Sequence, residues 1–201
     1  FMKFLLLLIP LLALAACAPL FPKKSSTPSI LFVGNSYSFG VPSALKKLVA
    51  ENGKNLRTGH STHGGWTLAQ HAAHEPTLNK IRSGKWDIIV FQEHSLTPGT
   101  PECGKSMIPA LRSLAEEARK AGSEPVLYQT WGRRDLFAEM NPKVREGYLK
   151  AAKACEVRRI VPVGDYWERE FSPGLYQEDG SHPSPAGDRL TARAFYDTLC
   201  R

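Results

Sequence analysis

The sequence is poor in cysteine, with four in 201 residues, and none of them stands in a CxxC pair or at a Cys/His spacing that builds a structural zinc site. It has no internal repeat. Basic residues exceed acidic ones, for a net charge of +7, but they come as scattered pairs such as Lys46 with Lys47 and Arg133 with Arg134. No basic stripe interleaved with aromatics emerges, which argues against nucleic acid as a partner and leaves only a mild attraction to anionic envelope surfaces. A membrane-spanning run is missing too. The apolar stretch 4–16 is too short and is interrupted at Pro10. What remains is a chain with 42% hydrophobic residues and a length that suits one domain with a sizeable core.

Lys3 precedes that apolar stretch, and small residues end it, as in a secretion signal. Leu14, Ala15, Ala16 and Cys17 resemble the lipobox of bacterial lipoproteins. The resemblance implies a signal peptide over 1–16, a diacylglyceryl group on Cys17 and membrane attachment through that lipid. Residues 17–29, rich in Pro, Ser and Lys, read as a tether, and 30–201 as the folded domain. The expected address is the bacterial cell envelope, at a periplasmic or outer-membrane face. An oxidising compartment would allow one disulfide among Cys103, Cys155 and Cys200.

Within the domain, ILFV at 30–33 and the run 86–92, WDIIVFQ, are apolar strands bounded by turn formers, the pattern of strands buried on both faces. Weaker strands are expected at 55–62, 125–129 and 159–163. Helical spacing predicts α-helices over 42–52, 76–82, 108–121 and 185–199. A short helix capped by Thr67 should run through His71 and His74, and another should open at an Asn141 cap with Pro142 in its first turn. Strands alternating with helices imply an α/β, three-layer α/β/α sandwich on a parallel sheet of about five strands, flavodoxin-like in architecture.

Function in such sheets sits at strand C-terminal ends. Gly34, Asn35 and Ser36 follow the first strand, and Ser36 is the candidate nucleophile, with Ser38 as a rival. A serine needs a base, and the base a group that fixes its tautomer. Asp179 and His182, in the turn DGSH, supply both within one loop.

With those residues in place the chain resembles the SGNH (GDSL-like) hydrolase superfamily from about residue 30 to the C-terminus. The resemblance implies Ser36, His182 and Asp179 as a catalytic triad acting on an ester, without metal or organic cofactor. It also implies an oxyanion hole from the Ser36 and Gly65 backbone N–H groups, with Gly64 close in register. The family's Gly-x-Asn-Asp block is replaced by Gln92, Glu93, His94 and Ser95, so the third oxyanion donor becomes Gln92, with His94 as its alternative. Trp66 and Trp131 could stack on a sugar ring or cover the sheet edge. His60, His63, His71 and His74 offer a metal-like spacing without an acidic or cysteine neighbour, and read as lining the site or a solvated helix face. The expected substrate is a small-molecule or glycan ester; the competing reading is a non-catalytic lipoprotein that binds glycan or cell wall.

Overall fold

A computed structural model describes residues 27–201. Five strands form one parallel sheet: β1 (Ser29–Gly34), β2 (Arg57–Thr62), β3 (Ile88–Phe91), β4 (Glu124–Gln129) and β5 (Arg159–Pro162). Their order is β2-β1-β3-β4-β5, as a flavodoxin-like sheet requires. Among the described residues, seven α-helices connect and close it: α1 (Val41–Glu51), α2 (Leu68–Ala72), α3 (Glu75–Arg82), α4 (Ile108–Lys120), α5 (Phe137–Ala154), α6 (Val163–Arg169) and α7 (Pro185–Leu199).

Strand alternation sorts the core into two layers. Ile30 and Phe32 of β1 point to the side covered by α1, α6 and α7, where they meet Leu45, Trp167 and Phe195. Leu31 and Val33 point to the side covered by α2 to α5, among Leu68, Ile81, Leu111 and Tyr148. Both faces are therefore apolar, which is why ILFV and IIVF read as unbroken runs instead of alternating ones. Among the described residues no helix is long and apolar enough to cross a bilayer.

Some boundaries differ from the sequence expectation. Ser29 already belongs to β1, pairing with Arg57 while its hydroxyl donates 2.8 Å to Asp87 Oδ2. α5 begins at Phe137, and Asn141 is not its cap: buried inside the helix, it accepts from Gly132 N–H at 3.3 Å and donates to Gly164 O at 3.1 Å. Pro142, expected in the first turn, lies inside α5 as its sixth residue. α6 follows β5 without an intervening turn, with Val163 and Trp167, one helical turn apart, facing the core.

Cys103, Cys155 and Cys200 are all free thiols, so the disulfide considered from sequence is absent among the described residues. Cys103 and Cys155 are buried, and their S–H groups donate at 3.4 Å to Gly147 O and Ile108 O. Cys17 and most of the tether lie outside the described residues.

Candidate active site

Parallel pairing brings the C-terminal ends of the strands to one rim. Gly34 pairs with Thr62, Val33 with Phe91, Phe91 with Leu127, and Gln129 with Pro162. Chain order reverses between β1 and β3, the usual place for a crevice in such a sheet. Ser36 leaves β1 at that point.

Ser36 opens a short 3-10 turn (Ser36–Ser38) capped by Asn35, whose side-chain oxygen accepts from Tyr37 N–H at 3.2 Å. The Ser36 hydroxyl lies 2.8 Å from His182 Nε2. His182 Nδ1 is hydrogen-bonded to Asp179 Oδ2, while Asp179 Oδ1 accepts from Ser181 N–H and His182 N–H, both at 2.9 Å. These bonds, the imidazole's first, hold the Asp179 carboxyl down at a pKa of about 2. An ionised Asp179 can only accept, so Nδ1 carries the ring proton and Nε2 presents its lone pair to Ser36.

The loop bearing Asp179 and His182 is fixed from beneath. Trp131 Nε1–H donates to Ser181 O at 3.2 Å, Arg134 N–H donates to Gly180 O at 2.8 Å, and Tyr37 shares a hydrogen bond with the Ser181 hydroxyl. Trp131 is thus no sugar platform. It is fully buried, stacked between Tyr37 at 4.7 Å and Trp167 at 3.9 Å. Trp66 is half-buried, with His63 stacked on it at 4.0 Å.

Gly64 and Gly65 line the same crevice as Ser36, a pocket of about 400 Å³. Gly65 has φ +72°, a left-handed conformation that favours glycine. Among the described residues no hydrogen bond takes up the N–H of Ser36 or of Gly65, which leaves both free for an oxyanion.

Gln92 is not brought into this pocket. It is fully buried, its Oε1 accepting from Asn35 N–H at 2.9 Å and from the Ser38 hydroxyl at 3.0 Å. Its Nε2 donates to Asn35 Oδ1 at 2.9 Å and to Glu93 O. Every polar atom of the amide is used, so it has nothing to offer an oxyanion. The expected third donor is instead a brace. Asn35, held by Gln92 on two sides, donates from Nδ2 to Trp66 O at 2.9 Å and so ties the Gly64–Gly65 turn to the nucleophile loop. Gly34 is glycine for the same reason: a Cβ there would lie 2.6 Å from Gln92 Oε1. Replacing Gln92→Leu should lower kcat by about 10- to 100-fold with KM little changed, because the two backbone donors lose their common register. Steady-state kinetics normalised to titrated active sites would show this; an unchanged kcat sinks the brace.

Ser38, the rival nucleophile, is buried with its hydroxyl on Gln92. His94, the alternative donor, does line the pocket, half-buried and without a side-chain partner among the described residues; burial and then Arg133 push its pKa down. His60, His63, His71 and His74 do not line it. His71 is buried rather than solvated: its Nε2 meets Gly34 O at 2.8 Å, and burial lowers its pKa to about 4, so the neutral ring donates there and clamps the end of β1. No group of three or more His, Cys, Asp or Glu able to hold a metal occurs among the described residues.

Two residues escaped sequence reading. Glu93 is fully buried, its carboxylate accepting from Leu68 N–H at 3.3 Å and His94 N–H at 2.6 Å; burial raises its pKa to about 7. Arg133 lines the pocket from the loop after β4.

No family model matches the sequence, and no curated protein matches it. Solved structures do. A candidate SGNH hydrolase from Slackia heliotrinireducens is 28% identical, with a TM-score of 0.72 over 86% of this chain and 99% of that one. A DUF4886 family protein from Bacteroides uniformis is 20% identical, with a TM-score of 0.76 over 87% and 83%. A family 3 carbohydrate esterase from Clostridium thermocellum is 17% identical, with a TM-score of 0.65 over 86% and 94%. Sheet order, helix layers and chain-long correspondence agree: the fold is that of the SGNH hydrolases, enzymes that cleave carboxylic esters.

Proposed function

We propose that this protein is a serine esterase of the bacterial cell envelope that removes a small acyl group, such as acetyl, from a carbohydrate through Ser36, His182 and Asp179. The observation that carries the reading is the 2.8 Å approach of Ser36 Oγ to His182 Nε2, with the opposite ring nitrogen bonded to an ionised carboxylate. His182 Nε2 takes the Ser36 proton as Oγ attacks the ester carbonyl. The tetrahedral oxyanion meets the Ser36 and Gly65 N–H groups. His182 then returns the proton to the departing alcohol, leaving an acyl-serine. Water, deprotonated by the same nitrogen, releases the acid.

The sugar-ester preference is supported by the pocket, about 400 Å³ and edged by Ser95, Ser181 and His94, which suits a short acyl chain on a polar alcohol. The similar Clostridium thermocellum carbohydrate esterase points the same way. The test is acid release from acetylated xylo-oligosaccharides beside 4-nitrophenyl esters of two to twelve acyl carbons, with a fluorophosphonate label located by mass spectrometry. Acetyl esters should be preferred and the label found on Ser36. Preference for the long chains would overturn the carbohydrate assignment, and a label elsewhere the nucleophile.

The envelope address rests on the lipobox-like residues that end at Cys17. Cys17→Ser should move the protein from the membrane pellet to the soluble fraction. Retention in the pellet would remove the lipid anchor from the proposal.

A further inference from the structure

The crevice beside Ser36 holds a charge that acyl transfer does not use. Arg133 lines it together with His94 and Ser95, and no Asp or Glu contributes to its lining. Of the carboxylates nearby, Asp179 is already taken by His182 and two backbone N–H groups, and Glu93 is buried with its oxygens on the Leu68 and His94 N–H groups. Arg133 is exposed, and among the described residues its guanidinium forms no ion pair or hydrogen bond, whereas its neighbour Arg134 is bonded to Asp135 at 3.0 Å.

Nor does Arg133 sit on a loose loop. Trp131 Nε1–H and Arg134 N–H bond to Ser181 O and Gly180 O, and the Tyr176 hydroxyl donates to Gly132 O at 2.8 Å. These bonds flank Arg133 on both sides and lock it to the segment that carries Asp179 and His182. A guanidinium fork on an anchored backbone at the edge of a cleft, without a counter-ion, is matched by a planar oxyanion that it can bind through two N–H groups. His94 and Ser95 beside it add no second permanent positive charge, since burial and then Arg133 itself push the His94 pKa down and favour its neutral form. One unit of positive charge fits a carboxylate better than a phosphate dianion.

Building on the hydrolase reading above, we propose that Arg133 determines specificity: the ester cleaved here carries a carboxylate, as on an acidic sugar, that seats on the Arg133 guanidinium while its ester carbonyl lies against Ser36.

Two matched pairs test this, each rate divided by the hydroxide-catalysed rate of the same ester. On the alcohol side the pair is 4-acetoxybenzoate and 4-acetoxybenzamide. On the acyl side it is mono-4-nitrophenyl adipate and its terminal amide. In at least one pair the wild-type protein should prefer the carboxylate by about 10- to 100-fold in kcat/KM, the worth of one charge-assisted contact. Arg133→Gln should collapse that ratio towards one, and the ratio divides out any loss common to both members. Turnover without preference in either pair, or a preference that survives Arg133→Gln, overturns the role of Arg133 and leaves the hydrolase reading standing. Hydrolysis of none of the four esters brings down both.

Discussion

Ser36→Ala is expected to lower kcat on an acetyl ester by about 10⁴- to 10⁶-fold, the range over which a triad serine acts. KM should stay within a few-fold, because the missing oxygen makes its decisive bond only as the reaction proceeds. The variant removes little else. Ser36 is half-buried, and among the described residues its hydroxyl has one partner, His182 Nε2. Its backbone N–H survives the substitution, and so does the Gly65 N–H, so the proposed oxyanion site persists. What remains should therefore be slow turnover above the uncatalysed rate rather than none. The fold should melt where the wild type does, since Asn35 and Tyr37, which anchor the turn on either side, keep their bonds. Burst kinetics with 4-nitrophenyl acetate give a second readout, as the acyl-serine and its burst should vanish together. A variant that keeps more than a tenth of wild-type turnover would remove Ser36 as nucleophile and favour a binding protein on a hydrolase scaffold.

The parts of the fold that could be read from sequence are those whose cause is local. ILFV and IIVF are continuous apolar runs because both faces of the sheet are covered. α7 runs from Pro185 to Leu199 as expected, for its cap is written at its start: Ser184 accepts from Ala186 N–H and Gly187 N–H. Failures came where a tertiary contact outbid a local signal. Asn141 followed by Pro142 has the form of a helix start, yet the Asn141 amide bridges Gly132 and Gly164 and the helix begins four residues earlier. α6 starts directly after Pro162, the last residue of β5, and Pro162 with Gly164 gives the junction the look of a loop, so nothing in the pattern marks a helix there. Gly164, in its first turn, is there for close approach, since a Cβ would lie 2.5 Å from Thr130 O.

The site divides the same way. Asp179 and His182 interact across three residues, so their geometry is nearly contained in the turn DGSH; Ser36 is marked by its place at the end of a buried strand. Gln92 and Trp131 also stand at strand ends, and residue type alone suggested roles in the crevice for both. The direction of each side chain was decided elsewhere. Asn35 and Ser38 draw the Gln92 amide inward, and the faces of Tyr37 and Trp167 hold the Trp131 indole between them. Arg133 was invisible for the opposite reason. As one of two adjacent arginines it looked like ordinary surface charge, and only the bonds of its loop to Gly180 and Ser181 place it at the pocket.

Those same local bonds predict an unusual order of damage at Asp179. Asp179→Asn should reduce kcat by about 10⁴-fold, and it should be more damaging than Asp179→Ala although it is much closer in shape. Oδ1 accepts from two backbone N–H groups at 2.9 Å. In the Asn variant the amide oxygen must stay there, because the amide nitrogen would face two donors. The NH₂ group then takes the position of Oδ2, opposite His182 Nδ1, and it can only donate. Nδ1 must lose its proton, Nε2 gains it, and Nε2–H donates to Ser36 instead of accepting from it, so the base is absent. With Ala the wrong tautomer is not enforced. Asp179 is largely exposed, so water can enter and accept from Nδ1–H, restoring an Nε2 lone pair in part of the population. Comparing kcat for the two variants at neutral pH, on protein whose unfolding midpoint matches the wild type, decides the point. If the Ala variant is the slower one, the tautomer is not what Asp179 controls, and its part is reduced to electrostatic support of the imidazolium.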